Sequence, residues 1–156
     1  MLTRGDVEEL LFREAALLDD WKLAEWLHMW ADDGCYVVPA LDVPDGDPRA
    51  SLALIADDMA QLRARVDQLL DDTTRSEVPR SRTCHLVSNV HIVARDADRV
   101  IVRSAFAVHR ARGERRDLFV GAYEHHLAAA TLKIHLKKAT LAHDHLGAQA
   151  KLSILL

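Results

Sequence analysis

The sequence predicts an α+β domain in which N-terminal helices pack on one face of a strongly curved, mostly antiparallel sheet. Over 6–33 and 51–70, apolar residues recur at three- and four-residue steps, the period of an amphipathic helix. From Arg82 onward the pattern changes to period two, with short turns between segments, which is typical of antiparallel strands. Helices followed by a run of strands indicate α+β. At 156 residues, 1–156 is expected to be a single domain.

The first helical region, 6–33, has a recognisable start and an expected interruption. Thr3 is placed to cap its N-terminus, with Asp6 three residues later, where negative charge is favoured. One helix of this length is unusual, so we expect a break at Asp19-Asp20, with Asp20 capping a second helix.

The chain is then expected to pass from helix to strand to loop and back to helix. Gly34 would end the second helix in the left-handed conformation that glycine tolerates. The segment "CYVVP", 35–39, reads as a short strand, and 40–48 as a Pro- and Asp-rich loop. The helix over 51–70 has the clearest period, and "DDTTRSEVPRS" at 71–81 reads as a polar loop.

The remaining residues, 82–156, are expected to form the sheet. Its first strand, "RTCHLVSNVHI", mixes polar and apolar side chains on both faces, which suits a curved sheet around a polar interior. Further strands are expected in "VIVRSAFAVHR", "DLFVGAYEHHL", "TLKIHLKKATL" and "AKLSILL". No helix is expected within 99–127.

Charge and composition argue against nucleic-acid and membrane partners. The net charge is −4, and the basic clusters Arg110–Arg116 and Lys133–Lys138 read as a strand connection and a solvated strand face. No apolar run reaches the roughly 18–20 residues that span a membrane. The N-terminus does not resemble a signal peptide, so we expect a cytoplasmic protein with Cys35 and Cys84 as reduced thiols.

The sequence contains no recognisable metal, cofactor or nucleophile motif. It lacks HExxH and the CxH…CxxH spacing of a Rieske cluster, despite nine histidines. His143 and His145 would share one strand face around Asp144, but a solvated strand end is favoured over a zinc site. Cys84 and His85 are neighbours on a strand and point to opposite faces. Metal-binding, cofactor-binding and catalytic residues are therefore predicted to be absent.

One pair of residues stays open as an alternative catalytic site. If the helices cover the concave side of the sheet, Asp19 can orient the imidazole of His85, and such a pair can act as a general base. The other interpretation is a buried histidine whose hydrogen bonds a carboxylate satisfies. We favour the second interpretation.

Several short stretches occur in the order found in one family. The segment "EAALLDDWKLAEWLHMWADDGCYVVPA" holds a Leu-Asp pair, a Trp-Leu helix, an acidic turn, an aromatic residue and a proline. The segment "RSRTCHLVSNVHI" holds Arg-x-x-His-x-x-Ser-Asn, and "LKIHLKKATLAHDHL" follows as a basic strand. This order resembles the small (beta) subunits of aromatic-ring-hydroxylating dioxygenases. The chain departs from them at 128–133, "AAATLK", where members usually have a Gly-Trp-like turn, so the hairpin register there stays open.

The resemblance implies a fold and a role. The fold is a cone-shaped domain like nuclear transport factor 2, with helices over a strongly curved sheet. The role is that of a non-catalytic structural subunit in aromatic compound catabolism. In such enzymes the partner, the large (alpha) subunit, holds the Rieske iron–sulfur cluster and the mononuclear iron. The small subunit binds no metal and holds the hexamer together.

Two other functions use the same fold. Ketosteroid isomerases and small dehydratases place acid–base residues in the cone. The isomerase base would fall at Val38, which cannot take a proton, whereas a dehydratase-like pair of Asp19 and His85 remains open. A third function is a binding domain for a small apolar ligand or a protein partner.

The end of the sequence predicts assembly. Ile154, Leu155 and Leu156 are expected to lie on a terminal strand that must bury both of its faces. A second copy of the chain could cover them, and head-to-tail surfaces close into rings. We therefore expect a homotrimer within a hetero-hexamer, with these strands and part of the sheet face at the contacts.

Overall fold

The structure, a computed structural model, describes residues 1–41, 53–71, 73, 79–143 and 152–156. Within these residues the α+β architecture is confirmed, with three helices and six strands. In chain order the elements are α1 (Arg4–Asp19), α2 (Leu23–Leu27), β1 (Trp30–Pro39), β2 (Ala53–Asp58), α3 (Met59–Leu70), β3 (Arg82–Arg95), β4 (Arg99–Arg112), β5 (Arg115–Ala128) and β6 (Ile134–Leu141).

The strands form one sheet in the order β2-β1-β6-β5-β4-β3. All neighbours are antiparallel except β1 and β6, which run parallel, so the sheet is mostly antiparallel as expected. Strands β4 and β5 pair without a register shift from Arg99↔Ala128 to Arg112↔Arg115. Alternate residues of these strands join the helices in one core, because period-two alternation turns every second side chain inward. We call this curved sheet with its packed helices the cone.

Helix α1 starts and stops where its sequence indicates. The Thr3 side chain accepts the backbone N–H of Asp6, and the Asp6 side chain accepts that of Thr3, a complete capping box. The helix ends at Asp19, so the predicted break is confirmed. The prediction that Asp20 caps a second helix is wrong, because Asp20 is the C-terminal cap of α1. Lys22 precedes α2, and its side chain makes no capping hydrogen bond.

The prediction of helix through 28–33 is wrong, because β1 already begins at Trp30. Gly34 lies inside β1 and does not adopt a left-handed φ. Its role is close packing: a Cβ there would lie 2.7 Å from Trp30 Cε3 and 2.9 Å from Met59 Sδ. The absence of a side chain at Gly34 therefore lets Trp30 and Met59 pack against the backbone of β1.

The prediction of one helix over 51–70 is correct only from Met59. Residues 53–58 form β2, antiparallel to β1, and only the alternate side chains Ile55 and Asp57 are buried. The helical spacing of the apolar residues carries no information about this strand, since its pairing partner lies in β1. Residues 51 and 52 and most of the predicted loops at 40–48 and 71–81 lie outside the described residues.

Helix α3 begins at a capping box whose loss should be measurable. The Asp58 side chain accepts the backbone N–H of Gln61 at 2.9 Å, and the Gln61 side chain accepts that of Asp58 at 2.9 Å. Replacing Asp58 by alanine should lower the free energy of unfolding by about 1 kcal/mol, as read from the urea midpoint. Asp67→Ala, at an exposed position in the same helix, is the matched control and should not destabilise. Equal losses in both variants would contradict the capping role.

The predicted strands after Arg82 are confirmed as β3 to β6, and 99–127 contains no helix. In the turn between β5 and β6, Leu132 has φ 58°, a left-handed conformation that glycine would adopt more easily. The prediction of a solvated face over Lys133–Lys138 is wrong for Lys137, whose side chain is 1% exposed.

The last predicted strand, "AKLSILL", is wrong. The described part, 152–156, contains no strand, yet Ile154, Leu155 and Leu156 are all buried within this chain. The Leu156 N–H donates to Tyr36 Oη at 3.0 Å, and Arg110 donates to Ser153 Oγ at 2.8 Å. The expectation that a second copy must cover these residues is therefore wrong. We call 152–156 the C-terminal segment.

Candidate functional site

Asp19 and His85 are brought together where α1 ends against β3. Asp19 is the last residue of α1, and its Oδ1 lies 2.5 Å from His85 Nδ1. The same carboxylate accepts the backbone N–H of His85 at 3.0 and 3.1 Å and the Thr83 hydroxyl at 3.0 Å. The carboxylate therefore holds both the ring and the backbone of His85.

The second ring nitrogen of His85 is also engaged. Nε2 lies 2.8 Å from the backbone oxygen of Leu155 in the C-terminal segment. Both ring nitrogens of His85 therefore contact acceptor groups of this chain, the Asp19 carboxylate at Nδ1 and the Leu155 carbonyl at Nε2. Partial burial acts to raise the pKa of Asp19, but the hydrogen bonds from His85 outweigh it and lower that pKa below its ordinary value.

The space around His85 is almost filled. A cavity of about 10 Å³ lies beside it, with room for roughly one water molecule. Its walls are Leu18, Trp21, Leu23, Leu69, Thr83, His85, Ile154 and Leu155. Substrate pockets usually measure about 300–1,000 Å³. The side chain of His85 is only 2% exposed and that of Asp19 is 25% exposed, so in this conformation the imidazole does not reach solvent-borne substrate.

The Asp19 carboxylate should make stability depend on acid pH. Because its folded pKa is lowered, its contribution is present above the ordinary value of 3.8 and is lost as pH falls through the folded pKa. Asp19→Asn should therefore cost about 1–2 kcal/mol at pH 7 and progressively less below pH 3.8, as measured by urea unfolding. Asp20→Asn, at an exposed position, should leave stability unchanged at pH 7 and below pH 3.8. An Asp19→Asn variant as stable as wild type at pH 7 would refute the contribution.

A second polar group lies deeper in the cone and was not predicted from the sequence. Glu14 Oε1 accepts Lys137 Nζ at 2.8 Å and Trp26 Nε1 at 3.0 Å, and Oε2 lies 3.0 Å from His125 Nε2. The side chains of Glu14, His125 and Lys137 are 4%, 0% and 1% exposed. We call Glu14, Trp26, His125 and Lys137 the buried cluster.

The charges of the buried cluster compensate one another. Burial alone would raise the pKa of Glu14, but the charges of Lys137 and His125 and their hydrogen bonds hold it well below its ordinary value. Burial lowers the pKa of Lys137, and Glu14 opposes that change. Lys137 Nζ also lies 4.6 Å from the centre of the Tyr123 ring, a cation–π contact.

The sequence did contain a signal for the buried cluster. Glu14 follows the buried Leu11 by three residues and precedes the buried Leu18 by four, so it lies on the apolar stripe of α1. His125 alternates with the buried Tyr123 and Leu127 on β5. Polar residues at inward positions need partners, and these can be identified only when the helix is placed on the sheet.

The outer surface carries an open, cationic cleft at the end of the sheet. Its volume is about 610 Å³, and its lining includes Arg80, Arg82, Arg112 and Arg116 together with the hairpin at Gly113. The adjacent outer face of the sheet exposes Leu86 and Leu118, whose fractional exposures are 52% and 40%.

The other predicted positions form no site in the part of the chain that is described. No three His, Cys, Asp or Glu side chains there come together as metal ligands. His143 Nε2 accepts the backbone N–H of Val120 at 3.1 Å, while Asp144 and His145 lie outside the described residues. Cys35 and Cys84 are free thiols, and Val38 is buried in the core. No described helix is long and apolar enough to cross a membrane.

Comparisons with known proteins place these features in a wider context. The family model described as "Ring hydroxylating beta subunit" matches residues 13–148. The small oxygenase component of the p-cumate 2,3-dioxygenase system of Pseudomonas putida is 40% identical over 158 residues, covering 99% of this chain and 88% of the relative.

Two solved structures bear on the fold. The beta subunit of benzoate 1,2-dioxygenase from Burkholderia mallei has a TM-score of 0.82 at 23% identity, covering 99% of both chains. A hexachlorocyclohexane dehydrochlorinase has a TM-score of 0.64 at 12% identity, covering 90% of this chain and 85% of its own. At these identities the likeness shows the shared fold alone, and it confirms the expected cone of helices on a curved sheet.

Proposed function

This chain belongs to the ring hydroxylating beta subunit family, and from that membership we propose that it is the small, non-catalytic subunit of a multicomponent dioxygenase in aromatic compound catabolism. Residues 1–156 act as one domain. The partner is a large (alpha) subunit, which carries the Rieske iron–sulfur cluster and the mononuclear iron. The complex works in the cytoplasm, and its catalytic steps take place outside this chain.

The filled interior of the cone is the observation that supports a non-catalytic role. A general base needs a free lone pair within reach of substrate. Both ring nitrogens of His85 contact acceptors of this chain, and the adjoining cavity measures about 10 Å³. We therefore assign Asp19 and His85 a structural role, in which they connect α1, β3 and the C-terminal segment.

The outer face of the sheet supports the proposed assembly into a homotrimer within a hetero-hexamer. Leu86 on β3 and Leu118 on β5 are exposed on either side of β4, where Leu86 is paired with Ala107 and Leu118 with His109. Arg82 and Arg116 continue this surface as a cationic rim. An apolar centre with a charged rim is the usual composition of a protein interface. The C-terminal segment is not part of this surface, because Ile154, Leu155 and Leu156 are buried within the chain.

Reconstitution with a large subunit tests the proposal. The 17.5 kDa chain is produced alone and together with a dioxygenase large subunit, and masses are measured by light scattering after gel filtration. We expect a trimer alone and a hexamer with the large subunit. When O₂ and a two-electron reductant are supplied, we expect aromatic dihydroxylation only by the complex. A persistent monomer that fails to bind the large subunit would overturn the proposal. Leu86→Asp should weaken assembly, whereas Val93→Asp, at an exposed position elsewhere on β3, is the matched control.

The dehydratase or isomerase alternative has one observation in its favour, the 2.5 Å contact between Asp19 and His85 in a fold shared with a dehydrochlorinase. The same reconstitution separates the two functions. In a structural role, Asp19→Asn leaves turnover per assembled complex unchanged. Full assembly with lost turnover, or conversion of an elimination substrate by this chain alone, would favour the enzyme alternative.

A further inference from the structure

The C-terminal segment occupies the cone in the manner of a bound ligand. The Leu155 carbonyl accepts from His85 Nε2, and the Leu156 N–H donates to Tyr36 Oη. Ile154, Leu155 and Leu156 are 4%, 5% and 0% exposed. These contacts join residues that are 70 and 120 positions apart in the sequence. The segment thus places the Leu155 carbonyl, with branched apolar side chains around it, against His85 Nε2.

The donor does not depend on the segment for its orientation. Asp19 holds Nδ1 of His85, accepts its backbone N–H, and is itself hydrogen-bonded by Thr83. Moving the C-terminal segment would leave Nε2 aimed into the same space. The imidazole is therefore a preorganised donor, and preorganisation lowers the cost of binding.

The walls of that space are mostly apolar. Leu18, Leu23 and Leu69 face it together with the Trp21 ring, and Thr83 and His85 supply the polar groups. Small-molecule sites are usually apolar cavities with a few directed polar groups. Only about 10 Å³ remains beside the segment, so the segment itself fills the site.

We propose that the space beside His85 inside the cone is a binding site for a small, uncharged apolar carbonyl compound. This chain's own C-terminal segment occupies that site. The site binds and does not catalyse, so this inference is independent of the proposed function. A tethered segment acts at an effective concentration in the millimolar range. A free ligand therefore binds appreciably only when the segment is weakened or displaced.

Two probes and a variant of the whole 156-residue chain test the site. Acetophenone carries the carbonyl, and ethylbenzene has the same ring without it. The double variant Ile154→Ser/Leu155→Ser removes the apolar side chains that seat the segment. Binding is followed by NMR titration, with the ¹³C carbonyl shift of acetophenone reporting its hydrogen bond, and circular dichroism checks the fold. We expect the double variant to bind acetophenone about tenfold more tightly than ethylbenzene, and about tenfold more tightly than wild type does.

Each alternative outcome overturns the inference. A folded double variant that binds neither probe excludes the site, and equal affinity for both probes excludes carbonyl recognition. Equal acetophenone binding by wild type and variant means that the segment is not the occupant. If the double variant does not fold, the same titrations are made on Tyr36→Phe, which removes only the acceptor of the Leu156 N–H. Wild-type affinity in that variant also overturns the inference.

Discussion

Replacing Glu14 by alanine is expected to lower the free energy of unfolding by about 3–5 kcal/mol, as measured by urea denaturation at pH 7. The variant leaves Lys137, 1% exposed, with no carboxylate within the buried cluster, so its amine must stay as an unpaired charge or give up its proton. It also removes the acceptors of Trp26 Nε1 and of the His125 ring. Buried donors without partners are costly because they have lost water and gained nothing in its place.

The matched comparison separates the buried charge from the loss of helix packing. Glu9→Ala, at an exposed position on α1, should change stability by no more than about 0.5 kcal/mol. Adding Lys137→Met to Glu14→Ala should recover part of the loss, because no unpaired ammonium then remains. Lys137→Met is also measured alone. If it lowers the free energy of unfolding by the same amount in wild type and in Glu14→Ala, the two side chains are not coupled.

The lowered pKa of Glu14 gives the same carboxylate an acid dependence. Its contribution is complete above the ordinary value of 4.5 and decreases as pH falls from there toward the lower folded pKa. Wild type should therefore lose stability below about pH 4.5 more steeply than Glu14→Ala does.

Gly121→Ala is expected to destabilise the chain by about 3 kcal/mol and to loosen β6 from β5. A Cβ at this position would lie 2.0 Å from the backbone oxygen of Thr140 and 3.0 Å from Phe106 Cζ. The backbone cannot yield as a side chain can, so relief requires a shift of β6. That strand joins β5 to β1, and its displacement would disturb both halves of the sheet.

A second glycine in the same chain is the control. Gly5 lies in the first turn of α1, where the nearest contact of an added Cβ is Thr3 Oγ1 at 3.6 Å. Gly5→Ala should raise stability by up to about 1 kcal/mol, because alanine favours the helix. Hydrogen exchange resolves the local effect: amides of β6 should lose protection in Gly121→Ala and keep it in Gly5→Ala. Unchanged protection of β6 would contradict the packing argument.

Local patterns predicted the elements whose determinants are close in sequence. The capping pair Thr3 and Asp6 is three residues apart, and the break after α1 falls at Asp19, as expected. The strands β3 to β6 follow from alternation, which each strand carries by itself. The predictions that failed concern residues whose structure depends on partners far away in the sequence. Residues 53–58 fit a helical period, yet pairing with β1 made them a strand.

The sequence by itself determined the fold class, the start of α1, the strands after Arg82, the family, and the pairing of Asp19 with His85 as a candidate. Only the tertiary structure decided what those residues contact. The bonds of His85 to Asp19 and Leu155 span 66 and 70 positions, and those of Glu14 to His125 and Lys137 span 111 and 123. Periodicity reflects neighbours two to four residues apart, whereas these contacts form only when the helix, the sheet and the C-terminal segment are packed together.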